Sequence, residues 1–313
     1  MGRRAPRLHR NVAAPRDISG VLVVDKPLGP TSFDVVARVR RLSGAHKAGH
    51  TGTLDPLATG VLVVCLGEAV KLQQFLTDGA KAYEAKVAFG TSTSTDDAEG
   101  EVVARGDPSR LDADLLRRAL PRFLGEIEQV PPMFSAVRVG GRRLHEAARA
   151  GEEVARPARR VRVDRLELLE MAPEENGLAC ARLRVHCGKG TYIRTLAKDL
   201  GAALGVPAHL AALRRLSAGG FTLEEAVPLD LLERLAAGGE GLGERLLPLA
   251  QALRGFPALR LGAGEARDLA HGKAVRREGA APGLCAALDP DGRLLAVCEV
   301  EGDTARPVRV LKP

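Results

Sequence analysis

The chain has 313 residues, enough for one sizeable domain and a smaller one, and its net charge of +7 suits a polyanionic partner without identifying one. No apolar run approaches the ~20 residues needed to span a bilayer, the five cysteines form no CxxC pair, and neither GxxxxGKS/T nor GxGxxG occurs. We therefore expect a cytoplasmic protein with reduced thiols and without a membrane segment, a metal site or a nucleotide cofactor.

Hydrophobic patterning predicts the elements in chain order. The first 17 residues carry five arginines and no apolar run, which predicts a disordered basic arm, with a transit peptide as the alternative. The predicted strands are 21–24, 61–66, 83–89, 161–169, 180–187, 284–288, 294–300 and 308–311. The predicted helices are 31–44, which ends at Gly44, then 112–125 and a helix to about Leu204. Residues 91–100 are predicted as a polar loop, and 131–157 as an irregular basic segment with one short helix around 144–150.

Runs of strands separated by single helices indicate an α+β fold with a mixed, mainly antiparallel central sheet and flanking helices. We divide the chain into the basic arm 1–17, a main domain 18–250 and a small β-rich domain 255–313. The stretch 235–243, rich in glycine and alanine, is predicted to connect the two domains. The small domain is too short for a strong core of its own, so it should pack against the main domain. We expect a monomer that needs no protein partner.

The candidate reactive group is the carboxylate of Asp55, which lies in the string GHTGTLDPLATG of residues 49–60. Such an acid can be a nucleophile, a general base or a turn former, because Asp-Pro commonly begins a turn. The glycines at 49, 52 and 60 predict backbone conformations closed to other residues and the close approach of another chain segment.

This string resembles the signature of the TruB family of tRNA pseudouridine synthases, and four further stretches resemble that family's motifs in the expected order. They are DKPLGPTS at 25–32, KAYEA at 81–85, GKGTYIRTL at 188–196, and LRR at 213–215 followed by Gly219, Gly220 and Phe221. Together the motifs cover residues 18 to about 227. The final segment is similar to the small PUA-type RNA-binding domain.

The resemblance implies a pseudouridine synthase fold, no cofactor, and a substrate uridine extruded from the T-loop of tRNA. Asp55 would be the nucleophile, attacking either the uracil ring or the ribose anomeric carbon, after which the base rotates and a carbon–carbon glycosidic bond forms. Arg194 would hold Asp55, and Tyr83 would stack on the base and accept the final proton. The substrate-binding residues would be His50, Tyr192, Leu213, Lys26, Arg142 and Arg143, the last two on an RNA-gripping insertion at about 131–156.

The residues themselves agree with the pairing of Arg194 and Asp55 that the resemblance implies, although without the motif an ordinary surface arginine is the alternative. Arg194 is predicted in the first turn of a helix, where a cation opposes the helix dipole at a cost of roughly 0.3–1 kcal/mol at an exposed site. That position is easier to accept if Arg194 points into a pocket and pairs with a carboxylate. Burial favours protonation of Asp55, whereas a nearby guanidinium keeps the carboxylate ionised and lowers its pKa. Tyr83 shares a predicted strand face with apolar residues, so core packing is an alternative role for its ring.

Two alternatives stay open: a guide-RNA-dependent pseudouridine synthase, whose signature is similar, and an RNA chaperone that refolds tRNA without chemistry. The pair Thr51-Gly52 and the short C-terminal domain favour the stand-alone enzyme, and the joint presence of Asp55, Tyr83 and Arg194 counts against the chaperone. The chain departs from the family pattern at three positions that affect RNA contact rather than the reaction. Phe134 and His145 stand where tyrosines are frequent, and Val70 replaces a common threonine.

Overall fold

The protein is represented by a computed structural model that describes residues 18–135, 138–139, 141–144, 152, 154–173 and 178–312. The side chains at 138–139, 142–143 and 172–173 are outside this description. The predictions for the basic arm 1–17, for His145 and for a helix beyond Leu144 therefore fall outside the described residues.

Nineteen strands are present in the described ranges. The strands up to residue 187 are β1 (Gly20–Lys26), β2 (Ala48–His50), β3 (Ala58–Leu66), β4 (Lys81–Phe89), β5 (Thr91–Thr93), β6 (Val102–Arg105), β7 (Gly125–Gln129), β8 (Arg138–Val139), β9 (Arg142–Arg143), β10 (Arg159–Pro173) and β11 (Ala179–Cys187). The later strands are β12 (Ala208–Ala218), β13 (Phe221–Thr222), β14 (Val227–Pro228), β15 (Ala258–Arg260), β16 (Val275–Arg276), β17 (Gly283–Leu288), β18 (Leu294–Glu301) and β19 (Thr304–Val310).

The helices are short and lie between the strands. The α-helices of the described chain are α1 (Ser32–Ser43), α2 (Gln73–Thr77), α3 (Ala113–Ala119), α4 (Ile193–Ala203), α5 (Leu229–Ala237), α6 (Leu249–Ala252) and α7 (Ala263–Ala270). Short 3₁₀ helices occupy 67–72, 120–123, 223–225 and 242–245. None of these described helices is long and apolar enough to cross a membrane.

Ten of the described strands form one sheet in the order β14-β1-β3-β12-β4-β11-β10-β7, with β2 paired to β3 and β13 to β12. The pairs β1/β14 and β3/β12 are parallel, and the other described pairs in this sheet are antiparallel. A second sheet has the order β15-β17-β18-β19-β16. The predicted α+β fold, with a mixed, mainly antiparallel sheet and a β-rich C-terminal segment, is confirmed.

The continuous apolar sequence of β1 reflects burial on both faces of the main sheet. Leu22 and Val24 point into a core that also contains apolar residues of α1 and α4. Val21 and Val23 point to the opposite face, into a second core that includes Leu288 of β17. The C-terminal sheet therefore packs against the main sheet, as expected for a segment too small to form a strong core alone.

Helix α1 begins and ends where its sequence predicts. Thr31 is the N-cap: its Oγ1 accepts from the Asp34 nitrogen (3.1 Å), and the Asp34 carboxylate accepts from the Thr31 nitrogen (3.0 Å). Gly44 ends the helix in the left-handed conformation, with φ of 72°. Both ends were predictable because capping depends on neighbouring residues alone.

The helix predicted over 112–125 is correct at its start and wrong at its end. Asp112 is the N-cap and accepts from the Leu115 nitrogen (2.7 Å). The α-helix stops at Ala119 because Pro121 lacks the N–H that would continue the bonding pattern. Gly125, which has φ of +80°, then opens β7.

Two further predictions need correction. The polar loop 91–100 begins with β5, which pairs with β6. The stretch 235–243 is not a free connection: α5 continues to Ala237, and Leu242 is buried in the main core. Alanine is a good helix former, so its abundance in that stretch indicated a helix end rather than a linker.

Candidate active site

The loop that carries Asp55 joins β2 to β3 and is held through its backbone. Ser32 Oγ, in the first turn of α1, donates to the Leu54 oxygen (2.8 Å) and accepts from the Leu54 nitrogen (2.7 Å). The Ala58 nitrogen donates to the Asp55 oxygen (3.0 Å), so the Asp-Pro pair does form a turn. These bonds satisfy buried backbone groups and fix the position from which the Asp55 side chain projects.

Lys26, at the end of β1, is fully buried beneath the same loop. Its Nζ donates to the carbonyl oxygens of Pro27 (2.9 Å), Pro56 (3.3 Å) and Ala58 (2.7 Å). Burial lowers the pKa of Lys26 to about 8, and the nearby Asp55 charge opposes that shift. In this geometry Lys26 supports the loop that carries Asp55.

Arg215 of β12 contacts the loop from the other side, and it is not among the site residues predicted from the sequence. Its buried guanidinium donates to the carbonyl oxygens of Val61 (2.6 Å), Thr53 (3.2 Å) and Gly52 (3.0 Å). The backbone of Arg215 lies against Gly60, its parallel partner on β3. Gly60 has φ of +100° and leaves no room for a side chain at this contact.

Both parts of the expectation for the glycines of this loop are confirmed at Gly60, and the close approach of another segment is also present at Gly49. Gly49 and Gly52 are not among the residues with positive φ in the described chain. A side-chain carbon at Gly49 would clash with the amide of Gln73, which donates to the His50 oxygen (2.8 Å), whereas one at Gly52 would lie at ordinary contact distance from its neighbours. The prediction of special backbone conformations at 49 and 52 is wrong.

The predicted contact between Asp55 and Arg194 is present. Arg194 lies in the first turn of α4, and its Nε is 3.0 Å from Asp55 Oδ2. The Arg194 side chain is 5% exposed, whereas 35% of the Asp55 side chain remains accessible. Arg194 Nη1 and Nη2 donate to the carbonyl oxygens of Thr95 (2.9 Å) and Phe134 (2.8 Å). Arg194 is therefore held in one orientation, and the accessible part of Asp55 is open to the cleft.

Asp97 is a second carboxylate beside the Arg194 guanidinium, and it is not among the site residues predicted from the sequence. Its Oδ2 lies 3.6 Å from Arg194 Nε, and its side chain is only 4% exposed. Its Oδ1 accepts from the Glu99 nitrogen (3.1 Å) and from the Thr95 hydroxyl. The preceding residue, Asp96, has φ of +61°, a conformation that aspartate tolerates better than most residues. The segment assigned to a polar loop thus contributes a buried acid to the site.

The balance of burial and charge raises the pKa of Asp55. Burial of the carboxylate is the largest cause, the Arg194 guanidinium opposes it, and the negative charge of Asp97 adds to the rise. The expectation that Arg194 lowers the pKa is correct for its own contribution and wrong for the net result. The sequence indicates the cation at Arg194 but not the second acid, Asp97, whose charge adds to the effect of burial.

Two cavities meet at Asp55. The first, here called the Tyr83 cavity, is lined by Tyr83, Tyr192, Leu213 and Arg215 together with Asp55 and Arg194. Tyr83 is buried on β4, where it packs with the main core and is the cross-strand partner of Arg215. Burial raises the pKa of Tyr83, and the charge of Arg215 opposes the rise. The Tyr83 ring therefore has both a core face and a face on this cavity.

The second cavity, here called the His50 cavity, lies on the other side of the Asp55–Arg194 pair. Its lining includes His50, Phe33, Phe134 and Glu99. The Gly52 nitrogen donates to His50 Nδ1 (3.2 Å), which makes this nitrogen the acceptor of the ring. Burial lowers the pKa of His50. The ring is thus held as a neutral imidazole beside the acid loop.

The structure brings most of the predicted site residues to these two cavities. Asp55, Tyr83, Arg194, His50, Tyr192 and Leu213 line one cavity or both, and Lys26 lies beneath the loop. Arg142 and Arg143 form strand β9, paired with β8, and their side chains are outside the description. No group of three or more His, Cys, Asp or Glu side chains in the described chain is placed to hold a metal ion.

The sequence contains an indication that Arg215 belongs to the site, and a weaker indication for Asp97. Neighbouring residues of a strand point to opposite faces, so only one arginine of the pair 214–215 could face the acid loop. Arg214 instead pairs with Asp25 (2.8 Å). In the sequence, Asp97 follows a run of serines and threonines, a context typical of a solvated loop. Its burial results from the packing of β12 against this segment, where the nitrogen of the next residue, Ala98, donates to the Leu210 oxygen (3.0 Å).

Comparison with known proteins places the chain among RNA-modifying enzymes. Three family models match it: the TruB family pseudouridylate synthase N-terminal domain over residues 40–193, the tRNA pseudouridylate synthase B C-terminal domain over 194–254, and the tRNA pseudouridine synthase II C-terminal domain over 256–312. A tRNA pseudouridine synthase B of Pseudomonas aeruginosa (strain UCBPP-PA14) is 48% identical over 291 residues, covering 92% of this chain and 94% of that protein. One of Cupriavidus metallidurans is 46% identical over 320 residues, covering 99% and 98%.

The fold of this chain resembles that of chains in solved structures. A chain in the crystal structure of a Cbf5-Nop10-Gar1 complex has a TM-score of 0.71 and 28% identity, covering 94% of this chain and 85% of that chain. A chain in an H/ACA RNP bound to a substrate RNA containing 2'-deoxyuridine has a TM-score of 0.70 and 26% identity, with the same coverage.

Proposed function

Because this chain belongs to the TruB family of pseudouridine synthases, we propose that it isomerises one uridine in the T-loop of tRNA, with Asp55 as the nucleophile. The enzyme is a pseudouridine synthase, and uridine in tRNA is its substrate. The observation that carries the proposal is the position of Asp55, which is held by Arg194 where two cavities meet and is accessible from them.

The extruded uridine enters the Tyr83 cavity. Leu213 and Tyr83 pack against the faces of the uracil, since stacking on an aromatic ring is worth ~1–3 kcal/mol per base. His50 occupies the side from which the nucleotide has left its stack. Unstacking costs a few kcal/mol, so these contacts must recover that energy before chemistry begins.

Asp55 then attacks either the uracil ring or the ribose anomeric carbon, and the glycosidic bond to nitrogen breaks. The base rotates within the cavity, its C5 forms the new bond to the ribose, and the bond to Asp55 breaks, which restores the carboxylate. C5 then loses its proton and the ring nitrogen released from the ribose gains one, so the isomerisation needs no net redox change. Burial raises the pKa of Tyr83 although the Arg215 charge opposes the rise, so the ring is a neutral phenol near neutral pH. Tyr83 can accept the C5 proton only as the phenolate, the form that the Arg215 charge favours.

Contacts outside the cavities select the RNA. We assign residues 18–250 to the catalytic domain and 255–313 to a PUA-like domain that extends the RNA-binding surface. The arginine-rich insertion at about 131–156, including Arg142 and Arg143, grips the phosphate backbone of the T-arm. Proteins read RNA chiefly at loops and phosphates, because the major groove of A-form helices is too narrow for side chains. The enzyme acts as a monomer without a guide RNA.

The test is to incubate the purified protein with an unmodified tRNA transcript, without added guide RNA or metal, and to map pseudouridine along the transcript. We expect modification at one T-loop uridine. Asp55→Asn should abolish it while tRNA binding persists, because the amide keeps the shape but not the nucleophilic charge. Asp114→Asn is the matched control, since this surface acid lies in α3 with 76% of its side chain exposed; it should leave the yield unchanged.

Each alternative predicts a different result. Modification that requires an added guide RNA would establish the guide-dependent enzyme in place of this proposal. Refolding of tRNA by wild type and Asp55→Asn alike, with no pseudouridine in either reaction, would establish the chaperone. Modification outside the T-loop would reject the proposed target while leaving the reaction in place.

A further inference from the structure

We propose that Phe33 is an RNA-contacting residue whose ring stacks on a nucleobase of the tRNA next to the target uridine. The inference rests on the proposed function, because it requires tRNA to occupy the same cleft. It adds a positioning residue on the side of Asp55 opposite the Tyr83 cavity.

The first observation is the exposure of Phe33. Phe33 is 75% exposed, the highest value among the large hydrophobic residues of the described chain, and Leu28 in the turn that leads into α1 follows at 68%. The other phenylalanines, all described, are buried or half-buried. A chain with only nine aromatic residues therefore leaves one ring in solvent at this turn. Two large apolar side chains exposed within six residues indicate a contact surface rather than scattered surface hydrophobics.

The second observation is that this turn is rigidly joined to the acid loop. The Gly29 nitrogen donates to the Pro56 oxygen (2.9 Å), next to Asp55. Ser32, the residue before Phe33, makes the two bonds to the Leu54 backbone described above. The capping box of Thr31 and Asp34 fixes the start of α1 around Phe33. The ring is thus presented at a set distance from the nucleophile, as a substrate-positioning group requires.

The third observation is continuity with the cleft. Phe33 lines the His50 cavity together with His50, Asp55 and Arg194. An RNA that places a uridine against Asp55 must pass this cavity with the nucleotides next to the target. Sequence-tolerant contacts to such nucleotides are made by aromatic rings, because every base has a π-face. A nucleobase of tRNA therefore fits the Phe33 surface better than an apolar peptide or a second copy of the chain.

The chain contains no tryptophan, which provides a direct spectroscopic test. Phe33→Trp introduces a single fluorophore at the proposed contact, and Leu124→Trp introduces one at another exposed apolar position as the control. Leu124 is 40% exposed and precedes β7, the outer strand at the opposite edge of the sheet from β14 and β1. We expect saturable quenching of Phe33→Trp on titration with tRNA, and no quenching of Leu124→Trp. Unchanged emission of Phe33→Trp at tRNA concentrations that saturate modification would overturn the proposal.

Kinetics separate stacking from simple apolar contact. Phe33→Ala should raise the KM for tRNA by roughly 5- to 150-fold, the equivalent of ~1–3 kcal/mol per stacked base, with little change in kcat. Phe33→Trp should keep the wild-type KM, whereas Phe33→Leu should restore only part of the loss. Full restoration by leucine would overturn stacking, and a concentration-dependent blue shift of Phe33→Trp without tRNA would assign the surface to self-association instead. The proposed function is judged separately, from pseudouridine formation by the wild-type protein.

Discussion

Gly60→Ala tests the closest backbone approach in the site. Gly60 of β3 has φ of +100°, and an added Cβ would meet the Arg215 carbonyl oxygen and lie 2.8 Å from the Arg215 nitrogen and 2.9 Å from its carbonyl carbon. These atoms belong to a strand in the middle of the sheet, so they cannot move without disturbing the pairing of β3 with β12.

The neighbouring Gly29 supplies a matched control for the magnitude. Its φ of +104° is nearly the same, but a Cβ there would meet nothing within 4 Å. Backbone strain at a positive φ costs of order 1–3 kcal/mol in either variant, and reduced freedom of the unfolded chain returns about 0.4–1 kcal/mol. Overpacking adds roughly 1–3 kcal/mol in Gly60→Ala alone. The difference between the variants therefore isolates the contact with Arg215.

The assay is equilibrium unfolding in urea, with the midpoint compared among wild type, Gly29→Ala and Gly60→Ala at equal slope. We expect Gly60→Ala to be less stable than Gly29→Ala by at least ~1 kcal/mol. It should also lose more activity, because Arg215 holds the carbonyl groups of Gly52 and Thr53. Equal midpoints for the two alanine variants would refute the close approach of β3 and β12 at this position.

Three further predictions concern the charges around Asp55. Arg194→Lys keeps the positive charge but loses the separate donors to the Thr95 and Phe134 carbonyls, so it should lose roughly 1–3 kcal/mol of stability. It should also lose most of kcat, because a single ammonium does not reproduce the guanidinium geometry that holds Asp55; wild-type kcat in this variant would contradict the assignment. Burial raises the pKa of Asp55, Arg194 opposes the rise, and the Asp97 charge adds to it. Asp97→Asn should therefore move the acid limb of the kcat/KM pH profile to lower pH, and an unmoved limb would show that Asp97 has no such effect. The pKa of Lys26 is about 8 when folded and 10.5 as its ordinary value, so the unfolded chain holds more protons between these pH values. Wild type should therefore gain stability relative to Lys26→Met as pH rises through this window in urea unfolding, and a flat difference would argue against the lowered pKa.

The sequence by itself determined features whose causes are local. The caps of α1, the turn at Asp55-Pro56 and the apolar alternation of β4 depend on neighbouring residues, and each is present as expected. The pairing of Arg194 with Asp55 was predictable from the family resemblance, whereas the residues alone indicated only that a cation in the first turn of a helix favours a carboxylate partner.

Tertiary structure alone decided which atoms surround Asp55. Asp97 contacts Arg194, while Arg215 and Lys26 bind backbone carbonyls on either side of Asp55, and the three residues come from separate segments of the chain. The position of Arg215 and Lys26 depends on how β1, β3 and β12 lie in the sheet. The pKa of Asp55 follows from that arrangement, since burial and opposing charges combine only when the segments meet. The same holds for the glycines: 49, 52 and 60 look alike in the sequence, and only the packing of β12 against β3 makes Gly60 the position where a side chain cannot fit.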